Sequence, residues 1–300
     1  MSSVNTYLPP GEGETVFTVS STPIKFGVGA LRELGADAQG LGMTRVALFV
    51  DDHVLGTEAG ADALASLRAA GLDAVVYDHV RCEPDSDSFA AAAAFVREGA
   101  FDGFVSLGGG SVIDTAKAAN LLSTWPDDLL AYINAPIGRA KPIPGRLKPH
   151  IACPTTCGTG SETTGITIVD LKSVGLKTGI ASPLLKPTLA LIDPRTTESL
   201  PGGVVAATGF DVLTHAVESY TARPYTSRPK PAHPSQRPPY QGSTPYNDIG
   251  SLHAIRLGGR YLARAVRDAG DTEARHQLMF ASTLAGLAFG IGGFLTFGLA

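Results

Sequence analysis

The chain has 300 residues, 44% of them hydrophobic and 17% charged, with a formal net charge of −4. That length can bury a core in one or two domains, and the charge balance leaves no basic footprint for nucleic acid. The first ten residues hold no Lys or Arg and no apolar run, so neither a secretory signal nor an Arg-rich transit peptide is expected. Three cysteines, Cys82, Cys153 and Cys157, leave one unpaired and form no CxxC pair. That usage points to a reduced, cytoplasmic protein.

From residue 46 to about 193, β-branched runs alternate with alanine-rich stretches. The runs predict strands over 46–50, 74–77, 103–107, 150–153, 165–169 and 188–192, with helices over 61–70 and 88–99 between the first three. Strand–helix alternation implies βαβ units and a parallel sheet covered on both faces, an α/β architecture. The last runs lie closer together and are expected to form a mixed or antiparallel extension. After Pro201 the texture turns to long helical patterns over 204–220, 249–267 and 272–289. The division that follows is an α/β domain over 1–194 and an all-helical domain over 195–300.

Two segments interrupt this plan. Residues 223–245 are too rich in proline for helix and lack strand alternation. They read as a long inserted loop, with a proline-rich partner ligand as the competing idea. Residues 277–300 contain no charge and a GxxxG at Gly286 and Gly290. By length alone they could span a bilayer, but Gly290, Gly292, Gly293 and Gly298 weaken a helix, and 272–276 starts like a soluble amphipathic one. A buried core helix running into a glycine-rich turn is expected, and no membrane association.

The strand at 103–107 runs into Gly108, Gly109, Gly110 and Ser111, which open a helix carrying Asp114 and Lys117. Glycines let backbone N–H groups approach a phosphate, and the helix N-terminus adds partial positive charge. The alternative is a tight structural turn. A second donor-rich loop, Pro154-Thr-Thr-Cys-Gly-Thr-Gly-Ser-Glu, follows the strand at 150–153. Two such loops after separate strands suit a ligand at the carboxyl ends of a doubly wound sheet. Asp52, just after 46–50, is placed either to bond a ribose hydroxyl or to serve as a helix N-terminal acid. In Gly209-Phe-Asp-Val-Leu-Thr-His-Ala-Val-Glu, Asp211 and His215 are one turn apart and can converge. A carboxylate and an imidazole are half of a site for Fe²⁺ or Zn²⁺, or simply a polar helix face.

The three motifs beginning at Gly108, Pro154 and Gly209, in this order and spacing, resemble those of the iron-containing (group III) alcohol dehydrogenases, from about Thr15 onward. Within that family, Val80-Arg-Cys-Glu-Pro-Asp-Ser-Asp-Ser-Phe, Ala135-Pro-Ile-Gly-Arg, Leu189-Ala-Leu-Ile-Asp-Pro and the proline-rich insertion are similar to the hydroxyacid-oxoacid transhydrogenase subgroup.

The resemblance implies a Rossmann-like, NAD-binding α/β domain followed by a helical metal-binding domain that is incomplete in this chain. Gly108, Gly109, Gly110 and Ser111 would hold the pyrophosphate, with Asp114 at the helix start. Thr155, Thr156 and Thr159 would line the cofactor cleft, Lys177 would reach the ribose or phosphate, and Asp52 would favour NAD over NADP. Asp211 and His215 would be the first two ligands of a divalent metal, Fe²⁺ or Zn²⁺. The implied reaction passes hydride from a small hydroxyacid such as 4-hydroxybutyrate through bound NAD to an oxoacid such as 2-oxoglutarate. Two further histidine ligands are expected in a later region, where an ungapped comparison puts Gly298 at one ligand position; His253 and His276 lie on helices elsewhere. The alternatives are a plain NAD-dependent alcohol dehydrogenase, or an inactive NAD-binding fragment. A homo-oligomer stays open beside a monomer.

Overall fold

Continuous apolar runs such as Val46-Ala-Leu-Phe-Val are what strands need when both faces are covered. The computed structural model describes residues 13–172 and 174–293. Its strands are β1 (Ile24–Phe26), β2 (Arg45–Val50), β3 (Asp73–Tyr77), β4 (Gly103–Gly108), β5 (His150–Pro154), β6 (Ile166–Leu171), β7 (Leu176–Ala181) and β8 (Leu189–Ile192). Its helices are α1 (Leu34–Gly40), α2 (Asp52–Leu55), α3 (Glu58–Ala69), α4 (Ser86–Gly99), α5 (Gly110–Thr124), α6 (Leu129–Tyr132), α7 (Gly202–Thr221), α8 (Pro245–Arg267) and α9 (Thr272–Gly292). They make two compact units. One comprises Thr22–Thr156 with Ser161–Leu200; the other comprises residues 13–21, Cys157–Gly160 and 201–293.

The first unit is built on a six-stranded sheet, order β1-β8-β5-β4-β2-β3, in which every pairing is parallel. Alternate side chains of β2 point to opposite faces. Val46, Leu48 and Val50 pack with Leu34 and Ala38 of α1 and Ala63 and Leu67 of α3. Ala47 and Phe49 pack with Ala92 and Val96 of α4 and Val112 and Ala116 of α5. Helices therefore cover both faces, and the sheet is doubly wound. The expected extension splits in two. β6 pairs antiparallel with β7 in a separate ribbon, while β8 returns to the parallel sheet between β5 and β1.

The second unit is helical. The buried residues of α7, Val205, Gly209, Val212, Ala216 and Ser219, recur every three or four positions, a single stripe on one face. That stripe meets α8 and α9. A side chain at Gly209 would put its Cβ 2.2 Å from Leu262 Cδ1, so glycine is what lets α7 approach α8. α9 is buried along most of its length, and no helix of the described residues is long and apolar enough to cross a membrane.

The proline-rich insertion is loop with two short 3₁₀ turns, Tyr225–Ser227 and Pro234–Gln236. It is held at its margins. Glu14 N–H donates to Arg228 O at 2.8 Å, Arg237 pairs with Glu14 at 2.8 Å, and Gln241 exchanges hydrogen bonds with the Thr18 backbone. Gln241 N–H also donates to Ile291 O in the last turn of α9 at 2.9 Å.

Candidate functional site

The chain runs from β2 outward to β3, then returns to place β4 on the other side of β2. The strand order reverses between β2 and β4, and in doubly wound sheets ligands bind beyond the carboxyl ends at such a switch point. Two of the sequence motifs end there. After β2, Asp51 is extended and accepts from Val54 N–H at 2.8 Å, capping α2. Asp52 follows it, exposed in the first turn. The capping role is taken by Asp51, which leaves the Asp52 carboxylate available for a ligand. If Asp52 meets an adenosine 2′-hydroxyl, Asp52→Gly will narrow the preference for NAD over NADP about tenfold, ~1.4 kcal/mol. Competition titration of the two nucleotides measures this; an unchanged ratio removes Asp52 from the site.

After β4, Gly109 is the N-cap of α5, and the first turn of that helix carries no acidic side chain. Its N–H groups and partial positive charge are therefore not answered by a carboxylate of their own helix. Gly109 has a φ of −73°, which any residue tolerates, so glycine is needed here for space. A Cβ at Gly109 would lie 3.2 Å from Thr156 Cγ2. Gly108 has a different reason: its Cβ would lie 2.4 Å from Val112 Cγ2 in the core. Thr155 N–H donates to Gly108 O at 3.0 Å. The loops after β4 and β5 thus lie side by side, bringing Gly108, Gly109, Thr155 and Thr156 together.

Ser111 and Lys177 gather on one neighbouring loop. Ser111 Oγ donates to Cys82 O, and Lys177 Nζ pairs with Glu83 Oε1 at 2.8 Å. Asp114 turns inward instead. Its carboxylate accepts from Ser161 Oγ at 2.5 Å and Ile168 N–H at 2.9 Å. Burial pushes the Asp114 carboxyl up, opposed by Lys117, Ser161 and Ile168. Lys117, fully buried, donates to Ser161 O, Ser161 Oγ and Ile166 O at 2.7–2.8 Å. Burial lowers its ammonium to about 8, against the pull of Asp114 and Glu162. Burial also raises Glu162 to about 7. This cluster ties α5 to the Ser161 turn and β6, so Asp114 is placed to position the glycine turn. Its truncation leaves the Ile168 N–H without its acceptor and removes the carboxylate 3.8 Å from the buried Lys117 ammonium. Asp114→Ala should therefore destabilise the fold by about 3–5 kcal/mol, read as a lower midpoint in urea unfolding; an unchanged midpoint contradicts this role.

Asp211 and His215 lie in the helical unit on one face of α7, with His215 Nε2 3.5 Å from Asp211 Oδ1. Asp211 is 38% exposed and His215 14%. Thr159, in the turn at Cys157–Gly160, belongs to the same unit. This turn is wedged between helices: a Cβ at Gly158 would lie 2.9 Å from Thr208 Cβ on α7. Gly160, at φ +60°, comes so close to α9 that its Cβ would lie 2.6 Å from Gly286 Cα. The turn thereby sets the Gly158 carbonyl 3.3 Å from His215 Nδ1. A carbonyl only accepts, so Nδ1 donates and Nε2 is the ring nitrogen turned toward Asp211. The ring packs on Phe289 with centroids 4.4 Å apart.

Two electron-rich atoms at that distance favour a proton or a metal cation between them, so the donor chemistry fits a divalent ion. Among the described residues no third His, Cys, Asp or Glu joins the pair; Gly298 lies outside them. Sequence reasoning missed the Gly158 carbonyl and Phe289 as positioning groups. The interleaved glycines of 158–160 and Gly286 were the available signal.

A family profile described as iron-containing alcohol dehydrogenase matches residues 21–194. One described as Fe-containing alcohol dehydrogenase family, C-terminal, matches residues 240–295. The mitochondrial hydroxyacid-oxoacid transhydrogenase of Bos taurus is 50% identical over 279 residues, 92% of this chain and 60% of that protein. The Homo sapiens protein of the same name is 47% identical, with the same coverage of each chain. The chain spans about 60% of the length of these curated relatives.

Among solved structures, a 1,3-propanediol oxidoreductase superposes with a TM-score of 0.82 at 29% identity, covering 93% of this chain and 67% of that one. A sulfoacetaldehyde reductase from Bifidobacterium kashiwanohense in complex with NAD⁺ gives 0.79 at 28%, covering 93% and 68%. The mitochondrial relatives overturn the expected cytoplasmic location. Cys82, Cys153 and Cys157 are free, but unpaired thiols fit any reducing compartment, and cysteine usage cannot tell one from another.

Proposed function

The chain belongs to the iron-containing alcohol dehydrogenase family, and from that premise we propose that it is a metal-dependent oxidoreductase exchanging hydride between a small hydroxyacid and an oxoacid through bound NAD. The hydroxyacid-oxoacid transhydrogenase names of relatives at 47–50% identity support the substrate class. The observation that carries the reading is the His215 ring, pinned through Nδ1 on Gly158 O with Nε2 turned to Asp211. In the α/β unit, Gly109, Gly110 and Ser111 would hold the pyrophosphate, Asp52 the adenosine ribose, and Thr155 and Thr156 the rim beside them. Lys177, on β7 and paired with Glu83, would approach the nucleotide. Thr159, in the turn that holds His215, would be a further cofactor-binding residue. The division into an NAD-binding domain over 1–194 and a metal-binding domain over 195–300 belongs to the same proposal.

Asp211 and His215 would hold Fe²⁺ or Zn²⁺. A bound ion supplies Lewis-acid polarisation of the substrate's reacting oxygen. The protein's own contribution is orientation: the Gly158 carbonyl fixes the imidazole tautomer, and Phe289 fixes its plane. A second reading, an NAD-binding protein that holds metal weakly, is favoured by the two-donor count among the described residues, since catalytic sites usually have three protein ligands. Supplying 4-hydroxybutyrate, trace NAD and the metal, with and without 2-oxoglutarate, separates the readings. The transhydrogenase forms 2-hydroxyglutarate while NADH stays at the level of the trace cofactor. A plain alcohol dehydrogenase forms no 2-hydroxyglutarate and, when NAD is raised to the level of the hydroxyacid, reduces it in step without the oxoacid. Nucleotide binding with neither product supports the second reading.

A further inference from the structure

A cavity of about 270 Å³ lies between residues 14–16 and the proline-rich insertion. Its lining combines apolar groups, from Val16, Tyr225, Pro229, Pro231 and Pro238, with basic ones, from Arg228, Lys230 and Arg237. Among the described residues Glu14 is the one acid that lines it, and its charge is already answered. Glu14 Oε2 accepts from Arg237 Nε at 2.8 Å, and Oε1 accepts from the N–H groups of Thr15 and Val16 and from Arg237 Nη2. Those bonds hold the Glu14 carboxyl below its usual range. With Glu14 and Arg237 neutralising each other, Arg228 and Lys230 leave the cavity with excess positive charge.

Arg228 is the informative group. Its Nε is buried and has no hydrogen-bond partner among the described residues. Burial, and then repulsion from Arg223, lower its pKa from the ordinary value. Buried charged donors without an acceptor are unfavourable by several times the worth of an ordinary hydrogen bond, and each one calls for a missing partner. An anion small enough for the cavity supplies that acceptor and answers the positive charge, and the proline and tyrosine wall suits a hydrocarbon portion beside it. Residues 229–238 supply this wall with little conformational freedom to lose, because proline fixes φ.

We propose that this cavity is a binding site for a small aliphatic carboxylate, its acid group on Arg228 and Lys230 and its carbon chain against the prolines. The site is formed within the helical unit's own loop and does not depend on the nucleotide or metal reading. Phosphate shares the charge but not the hydrocarbon portion, which gives the test its second arm.

The test is isothermal calorimetry of the purified chain, without NAD or metal, using glutarate and inorganic phosphate as probes. Glutarate should bind at least tenfold more tightly than phosphate. Arg228→Gln should weaken glutarate at least tenfold, and Arg228→Lys should restore part of the loss. Lys230→Gln, on an exposed side chain that does not disturb folding, should weaken it severalfold even if Arg228→Gln does not fold. Absence of glutarate binding to the unmodified chain overturns the proposal. So does equal affinity for phosphate, or undiminished glutarate affinity in Lys230→Gln and a folded Arg228→Gln, with circular dichroism as the check on folding.

Discussion

Gly109→Val is expected to abolish NAD binding, with affinity falling at least a hundredfold, about 2.7 kcal/mol or more. The backbone there is unstrained at φ −73°, so valine disturbs the fold little. The effect comes from space: the new Cβ would stand 3.2 Å from Thr156 Cγ2, and its two methyl groups would occupy the approach to the α5 N-terminus. Gly108→Ala should behave differently. Its Cβ meets Val112 in the core at 2.4 Å, so it should lower thermal stability first. Calorimetry with NAD and thermal unfolding of both variants separate the two glycines. Full NAD affinity in Gly109→Val would make the turn purely structural.

The second large effect is on metal. Removing a group that merely orients a ligand weakens a metal site ~10–100-fold, and His215 is itself the ligand in this account. His215→Ala should therefore reduce Zn²⁺ affinity by more than a hundredfold. Phe289→Leu, which leaves the imidazole but loosens its 4.4 Å ring contact, should reduce it about tenfold. NAD affinity should be unchanged in both, because the nucleotide groups named above, Thr159 apart, lie in the other compact unit. Metal titration by competition with a chromophoric chelator reads the ratio. Equal affinity in wild type and His215→Ala would remove α7 from the metal site.

How far the sequence disclosed this molecule depended on burial. β2, β4 and β5 were legible because both faces are covered and most of their side chains are apolar. β1 is three residues long and partly exposed, and β7 begins with exposed Leu176 and Lys177, so neither left a pattern to read. β8 was expected in a mixed or antiparallel extension because it lies near β6 in sequence, whereas its partners β5 and β1 are distant. The α7 and α9 patterns were clear, since three- and four-residue spacing survives without knowledge of partners.

The candidate site followed the same division. Gly109, Asp52, Asp211 and His215 announce themselves by residue type and local spacing. The inward turn of Asp114 toward Ser161 and Ile168 required the tertiary structure, because those partners are 47 and 54 residues away. The Gly158 carbonyl was invisible for another reason: every residue has one, and only the wedging of its turn between α7 and α9 makes this one orient His215.

The most direct measurement follows the hydride itself. The metal-loaded chain is given 4-hydroxybutyrate deuterated at the carbinol carbon, 2-oxoglutarate and trace NAD, and the products are read by mass spectrometry. The expected product is 2-hydroxyglutarate carrying the deuterium, formed without exchange with solvent and lost in His215→Ala. No transfer of label by the metal-loaded chain, or equal transfer by His215→Ala, would contradict it.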